Sequence, residues 1–238
     1  MAIDKITYAG HSAVFIHAGD VVAAIDPWLE GNPRCPKKLI NPNKLDLIVL
    51  THGHSDHAGD VLRLAKQFGC TVAATFELAM LLVEEGVPQT NVLAMNKGGS
   101  MQHGDLKISL TNAFHSSSYE TSSGSRYAGE ACGVVLSDEK QSIYHAGDTL
   151  LFSDMSLIRD LYRPAVALLP IGDRFTMGPR EAALALQVIG AKTAVPIHFG
   201  TFDMLTGTAE QFKRECSAIS ELNDVEIAVL EPGQELKL

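Results

Sequence analysis

Cysteine is scarce in this chain, and what there is does not pair up. Cys35, Cys70, Cys132 and Cys216 are widely spaced with no Cys-x-x-Cys among them, which points away from both a disulfide framework and a thiolate zinc site. Long apolar runs are missing as well. No stretch approaches the ~20 apolar residues that a helix needs to span a bilayer, and the opening Met1-Ala2-Ile3-Asp4-Lys5 has no basic region leading into an apolar one. A cytoplasmic protein without a membrane partner is expected. Positive charge is in deficit: 19 Lys and Arg stand against 28 Asp and Glu, for a formal charge of −9. That balance argues against a general nucleic-acid surface, which needs clustered cations. There is no phosphate-cradling Gly-x-x-x-x-Gly-Lys loop and no short tandem repeat.

What is present suits one α/β domain spanning 1–238, since 238 residues of which 46% are hydrophobic suffice for a two-sheet core. Short β segments open the chain at 3–9, 13–17 and 21–25, the last two joined by the hairpin signal Ala18-Gly19-Asp20. Trp28 to Asn43 reads as a loop. Strands at 45–51, 71–75 and 92–95 then alternate with helices at 59–68 and 76–85, a pattern of sheet covered by helices. After Gly98 come hairpins, including one at Gly104-Asp105 that places His103 in a turn, and a strand at 106–114. The second half repeats the order, with strands near 132–137, 142–146, 166–171 and 193–197 and helices near 153–161, 179–189 and 208–220.

Against this background one stretch stands apart. Thr51-His52-Gly53-His54-Ser55-Asp56-His57 puts three imidazoles and a carboxylate directly after an apolar strand. If the chain stays extended past the strand, the period of two aims His52 and His54 to the same side, within reach of one ion. The turn into the next helix then aims Asp56 and His57 elsewhere, at a second ion. Further candidates stand at the ends of later strands: His115 after 106–114, Asp148 in Ala146-Gly147-Asp148-Thr149, and His198 after 193–197. Such ends are where open α/β sheets place their ligands.

The ordered set His-x-His-x-Asp-His, His, Asp, His resembles the metallo-β-lactamase superfamily over the whole chain. The stretches Gly10-His11-Ser12, Asp26-Pro27, Ala146-Gly147-Asp148-Thr149, Phe175-Thr176-Met177-Gly178-Pro179 and His198-Phe199-Gly200-Thr201-Phe202 are similar to its ascorbate-6-phosphate lactonase-like branch of small metal-dependent hydrolases. The resemblance implies a four-layer αβ/βα sandwich with a dinuclear site at its edge. It implies His52, His54 and His115 on one divalent ion, Asp56, His57 and His198 on the other, and Asp148 bridging. A metal-bridging hydroxide, not a side chain, would then attack a small ester, lactone or phosphodiester. A homo-oligomer is compatible with the same resemblance. Nitrogen and carboxylate donors suit Zn first, with Mn, Fe or Ni also possible. Two ions at +4, two carboxylates at −2 and a hydroxide at −1 leave the site at about +1, so an anionic substrate fits an acidic chain.

Other residues carry two readings each. His11 and His145 lie beside strand ends and either orient ligands or protonate the leaving group, or serve as structural histidines. Asp26 either orients a ligand imidazole or ends a strand. The polar stretch 116–130 is either a surface loop or a lid, and in the second case Arg126 and Tyr127 would touch substrate, as would Arg174 and Thr176 on the loop after 166–171. A redox protein on the same scaffold and a non-catalytic metal-binding scaffold are the competing functions.

Overall fold

The computed structural model describes residues 2–238. Its first sheet has seven strands in the order β16–β1–β2–β3–β4–β5–β6. These are β1 (Ile3–Gly10), β2 (Ala13–Ala18), β3 (Val21–Ile25), β4 (Leu47–Val49), β5 (Thr71–Thr75), β6 (Val92–Met95) and β16 (Glu235–Lys237). The second sheet, also of seven strands, runs β15–β14–β13–β12–β11–β8–β7. It comprises β7 (Ser100–His103), β8 (Leu106–Asn112), β11 (Cys132–Ser137), β12 (Ser142–His145), β13 (Val166–Pro170), β14 (Thr193–Ile197) and β15 (Glu226–Ile227). Between β8 and β11 the hairpin β9 (Ser118–Thr121) and β10 (Gly124–Tyr127) stands alone.

Strand alternation sorts the side chains into layers. Along β4, Leu47 and Val49 face the inner cluster shared with Leu110, Leu136 and Leu168 of the other sheet, while Ile48 between them faces outward. Val166 and Leu168 of β13 likewise point inward, and Ala167 and Leu169 outward. This is the period of two expected of strands buried on both faces. The outer face of the first sheet is covered by α3 (Val61–Phe68) and α4 (Phe76–Glu84), through Val61, Leu64, Leu78 and Leu82. The outer face of the second is covered by α5 (Met155–Tyr162), α6 (Pro179–Ile189) and α7 (Ala209–Ser217), through Met155, Ile158, Leu186 and Phe212. The result is the four-layer sandwich of the metallo-β-lactamase fold.

Two segments differ from the sequence expectation. Trp28 to Asn43 is not all loop, since it holds the one-turn helix α1 (Lys37–Ile40). The stretch 116–130 is no unstructured loop either. Its β9–β10 hairpin is anchored by Ser117, whose Oγ accepts from Gly53 N–H at 3.2 Å and whose carbonyl accepts from Ala128 N–H at 3.1 Å. Tyr119 is buried against the first sheet's outer cluster, while Ser122 to Tyr127 stay exposed.

Strand direction collects the chemistry. Strands β3 to β6 are mutually parallel, as are β12 to β15, and β8 runs with β12 because both are antiparallel to β11. Gly10-His11, Asp26, Thr51 to His57, His115, Asp148 and His198 therefore all follow carboxyl ends of strands that run alike within their sheet.

Candidate metal centre

The one-turn helix α2 (Ser55–Ala58) follows β4 and places Asp56 and His57 on a helical turn, with His57 N–H and Ala58 N–H both donating to His54 O. The extended residues before it bring the His52 and His54 rings together, their centroids 4.6 Å apart. His52 Nε2 and His54 Nδ1 converge to 3.0 Å, and with His115 they form a group whose ligand atoms lie within 4.8 Å of one another. A second group under the same bound holds Asp56, His57, His198 and also His11. Asp148 stands between the groups. Its Oδ1 is 3.3 Å from His57 Nε2, and its Oδ2 is 3.0 Å from His198 Nε2 and 3.6 Å from His115 Nε2.

Three non-glycine residues of this centre, His11, Asp26 and His198, have left-handed backbones at φ of 57°, 49° and 55°. Such conformations persist only where the surroundings enforce them, and they cluster at functional sites. Here His198 N–H donates to His11 O at 2.8 Å, tying the turn after β1 to the end of β14. Gly147 has φ of 63° beneath the Asp148 turn, and a Cβ there would lie 2.8 Å from Thr51 Cβ. Glycine lets the Asp148 and Thr51 segments meet.

Asp26 sets the imidazole orientation. Fully buried, it accepts from Thr51 N–H at 2.8 Å, from Thr51 Oγ1 at 2.6 Å and from His57 Nδ1 at 2.8 Å. With its one proton committed to Asp26, the Thr51 hydroxyl can only accept from His52 Nδ1, 2.9 Å away. One carboxylate thus fixes the protonated nitrogen of His57 directly and of His52 through Thr51, which leaves both Nε2 atoms facing the centre. A carboxylate or hydroxyl behind the imidazole is the usual support for a metal-ligating histidine.

Charge follows the same layout. Burial holds His52 well below the ordinary histidine range, and burial lowers His54 and His115 too, so the first group is neutral and ready to donate lone pairs. For His57 burial also opposes charge, but Asp148 and Asp26 on either side outweigh it and push the ring well above its ordinary value. Burial works against ionising Asp148 and Asp56. For Asp148 the neighbouring His198 and His57 prevail, for Asp56 His11 and His57, and both carboxyls are held below the usual range.

The donor set fits divalent cations. His57 Nε2 and Asp148 Oδ1 are buried without a hydrogen-bond partner although they face each other. Buried polar atoms are normally paired, and an unpaired nitrogen and oxygen converging from two sides is the arrangement of ligands around a cation. Thiolate does not intrude. Cys132 hydrogen-bonds Thr51 O at 3.2 Å, and burial pushes its thiol up, out of the ionised form.

The remaining sequence-predicted residues fall in several places. His11 lies inside the second group, with Nε2 3.1 Å from Asp56 Oδ2, Nδ1 3.0 Å from Thr201 Oγ1, and a pKa lowered to about 4 by burial. His145 has both nitrogens engaged beneath the Asp148 turn, Nε2 with Ser12 O at 2.9 Å and Nδ1 with Gly147 N–H at 3.1 Å. Arg126 is paired with Glu84 of α4 at 2.6 Å, and Tyr127 beside it is exposed. The Arg174 guanidinium lies 5.3 Å from the Phe175 ring, both exposed on the loop after β13, and Thr176 donates its hydroxyl to Met177 O. Thr51 and Thr201 were missed by sequence reasoning. Their only signal is that they flank histidine motifs.

Fold and centre together are those of a metallo-β-lactamase-fold protein with a candidate metal site. Residues 22–199 match the family described as the beta-lactamase superfamily domain. A UPF0173 metal-dependent hydrolase of Rubrobacter xylanophilus is 44% identical over 235 residues, covering 98% of this chain and 96% of the relative. Another, from Methanopyrus kandleri, is 44% identical over 233 residues, covering 97% and 98%. Among solved structures, the metallo hydrolase Igni18 from the archaeon Ignicoccus hospitalis superposes with a TM-score of 0.88 at 34% identity, covering 100% of this chain and 99% of its own. The chain belongs to the β-lactamase superfamily, among the UPF0173 metal-dependent hydrolases.

Proposed function

We propose that the chain is a dinuclear hydrolase acting on a small ester, lactone or phosphodiester that carries an anionic group. The observation that carries this reading is Asp148, whose two oxygens face imidazoles of both groups. His52, His54 and His115 would hold one ion, Asp56, His57 and His198 the other, and Asp148 would serve both. Bound there, divalent ions supply a water activated near neutral pH and polarise the substrate oxygen. Zn is the first choice for these nitrogen and oxygen donors, ahead of Mn, Fe and Ni.

The side chains supply orientation. Asp26 and Thr51 fix the tautomers of His57 and His52. His11, neutral near pH 7, donates from Nε2 to Asp56 with Thr201 at its other nitrogen, holding the one ligand carboxylate that is partly exposed. Of the two arginines expected to contact substrate, Arg126 is occupied by Glu84, so Arg174, exposed over the Phe175 ring, would meet the anionic group. In the net reaction water adds at the carbonyl carbon or phosphorus, the bond to the leaving oxygen breaks, and that oxygen departs with a proton.

Asp148→Asn tests this reading because it keeps volume and removes the charge between the groups. Turnover on a panel of phosphodiesters, phosphorylated sugar lactones, acyl-homoserine lactones and thioesters should fall ~100-fold or more on any substrate that the wild type accepts. A folded variant with unchanged turnover would remove Asp148 from the role.

A further inference from the structure

An apolar groove of about 320 Å³ lies between α5 and the end of β8, lined chiefly by Leu110, Phe152, Leu157, Ile158, Leu161 and Tyr162. Its polar lining residues are few, namely Thr111, Asp154, Asn112 and Lys97, and Lys97 is held by Asn112 and Glu130. Two features single it out. Leu157 and Leu161, one helical turn apart on α5, are 52% and 71% exposed, while Met155 and Ile158 of the same helix are buried against the sheet. A helix that has already covered its sheet ordinarily turns a polar face to water.

The second feature is continuity with the metal centre. Phe152 packs edge-on against Phe114 with ring centroids 5.1 Å apart. Phe114, half exposed, directly precedes His115, and its N–H donates to Thr149 Oγ1 beside Asp148 at 3.0 Å. Leu150, 50% exposed, follows two residues after Asp148. An apolar surface therefore runs from α5 to the residues flanking two candidate ligands.

We propose that this groove holds an unbranched alkyl or acyl tail of the substrate, with the hydrolysable ester or lactone group at the histidine cluster. The assignment rests on the hydrolytic reading above and adds the substrate class to it. The volume sits at the small end of ligand clefts, which run from roughly 300 to 1,000 Å³. Its nearly apolar lining offers a tail burial with few hydrogen-bond partners. Its alignment with Phe114 leads one end of the tail to the reacting group.

The test is a chain-length series of p-nitrophenyl esters from C4 to C10, run on wild type, Leu157→Gln and Leu161→Gln, where glutamine preserves helix propensity. Burying a methylene contributes ~0.8 kcal/mol, so kcat/KM of the wild type should rise about fourfold per methylene until the groove is filled. Both variants should flatten that slope and keep C4 hydrolysis within about twofold, as a remote tail contact predicts. A flat wild-type slope, or one that the variants leave intact, overturns the proposal. Titration of decanoate, followed by the methyl NMR signals of Leu157 and Leu161, separates tail binding from chemistry. Saturable shifts without hydrolysis of any ester would keep the groove and overturn the hydrolytic reading. Absence of shifts overturns the groove, and concentration-dependent self-association abolished by Leu161→Gln, with no decanoate shifts, would assign the face to a second copy of the chain.

Discussion

Asp26→Asn is the substitution that probes the centre most selectively, because it replaces one oxygen by nitrogen at a residue that is not itself an expected ligand but hydrogen-bonds one, His57, at 2.8 Å. Asparagine can still accept from Thr51 N–H, but its amide nitrogen then faces the Thr51 hydroxyl and His57 Nδ1–H, two donors where the native carboxylate accepts at 2.6 and 2.8 Å. His57 is released to move its proton to Nε2, the atom that faces Asp148. Thr51 turns its hydroxyl away, and His52 loses the acceptor at 2.9 Å that holds its tautomer. Loss of such support typically weakens metal binding ~10–100-fold, or about 1.4–2.8 kcal/mol, and both groups should suffer here. Each hydrogen bond lost from the charged carboxylate also removes ~1.5–3 kcal/mol of its local stabilisation. The assay is competition for zinc against a chromophoric chelator, with far-UV circular dichroism to confirm the fold. Thr51→Val is the partner experiment, since it cuts only the His52 arm and should weaken one of two binding steps. A folded Asp26→Asn protein with both affinities within about twofold of wild type would refute the idea that this carboxylate sets the tautomers.

Two further outcomes follow from the geometry. Arg174→Ala should raise KM for an anionic ester several-fold and barely change turnover of a matched neutral one, while Arg126→Ala, already neutralised by Glu84, should leave the ratio alone; equal effects of both substitutions on both esters would count against Arg174 as the anion contact. Asp138 accepts backbone N–H groups of Ile3, Lys140 and Gln141, and although burial opposes ionisation these bonds hold its folded pKa below the ordinary value of 3.8. Its contribution is therefore present above about pH 4 and lost as pH falls through the folded pKa, so the difference in melting temperature between wild type and Asp138→Asn should shrink in acid; a pH-independent difference would contradict the assignment.

Much of the fold was legible because buried strands declare themselves by alternation, as Leu47, Ile48 and Val49 do between two clusters. The centre was legible because its side chains follow strand ends in the order of a known motif. Where legibility failed, the reason is spatial. Asp26 was readable as a carboxylate that could orient a ligand imidazole, but nothing in the sequence said that its partners are Thr51 and His57, 25 and 31 residues away. Gly10-His11-Ser12 marks a turn, but only the folded approach of that turn to α2 and to the end of β14 brings His11 to Asp56 and His198. His145 carried two readings in the sequence, and engagement of both its nitrogens with Ser12 and Gly147 fits the structural one. The β9–β10 hairpin escaped notice because its second strand is exposed throughout and leaves no apolar alternation to read. Arg126 resembled a substrate contact because the position of Glu84 across the hairpin is a tertiary fact.

The central claim is two ions held by one constellation, and counting them tests it most directly. Protein loaded with excess zinc, freed of loose metal and examined by elemental analysis and anomalous scattering, should hold two ions per chain, one among His52, His54 and His115 and one among Asp56, His57 and His198, with Asp148 touching both. A single ion per chain under metal excess, or a second peak away from these residues, would contradict the account.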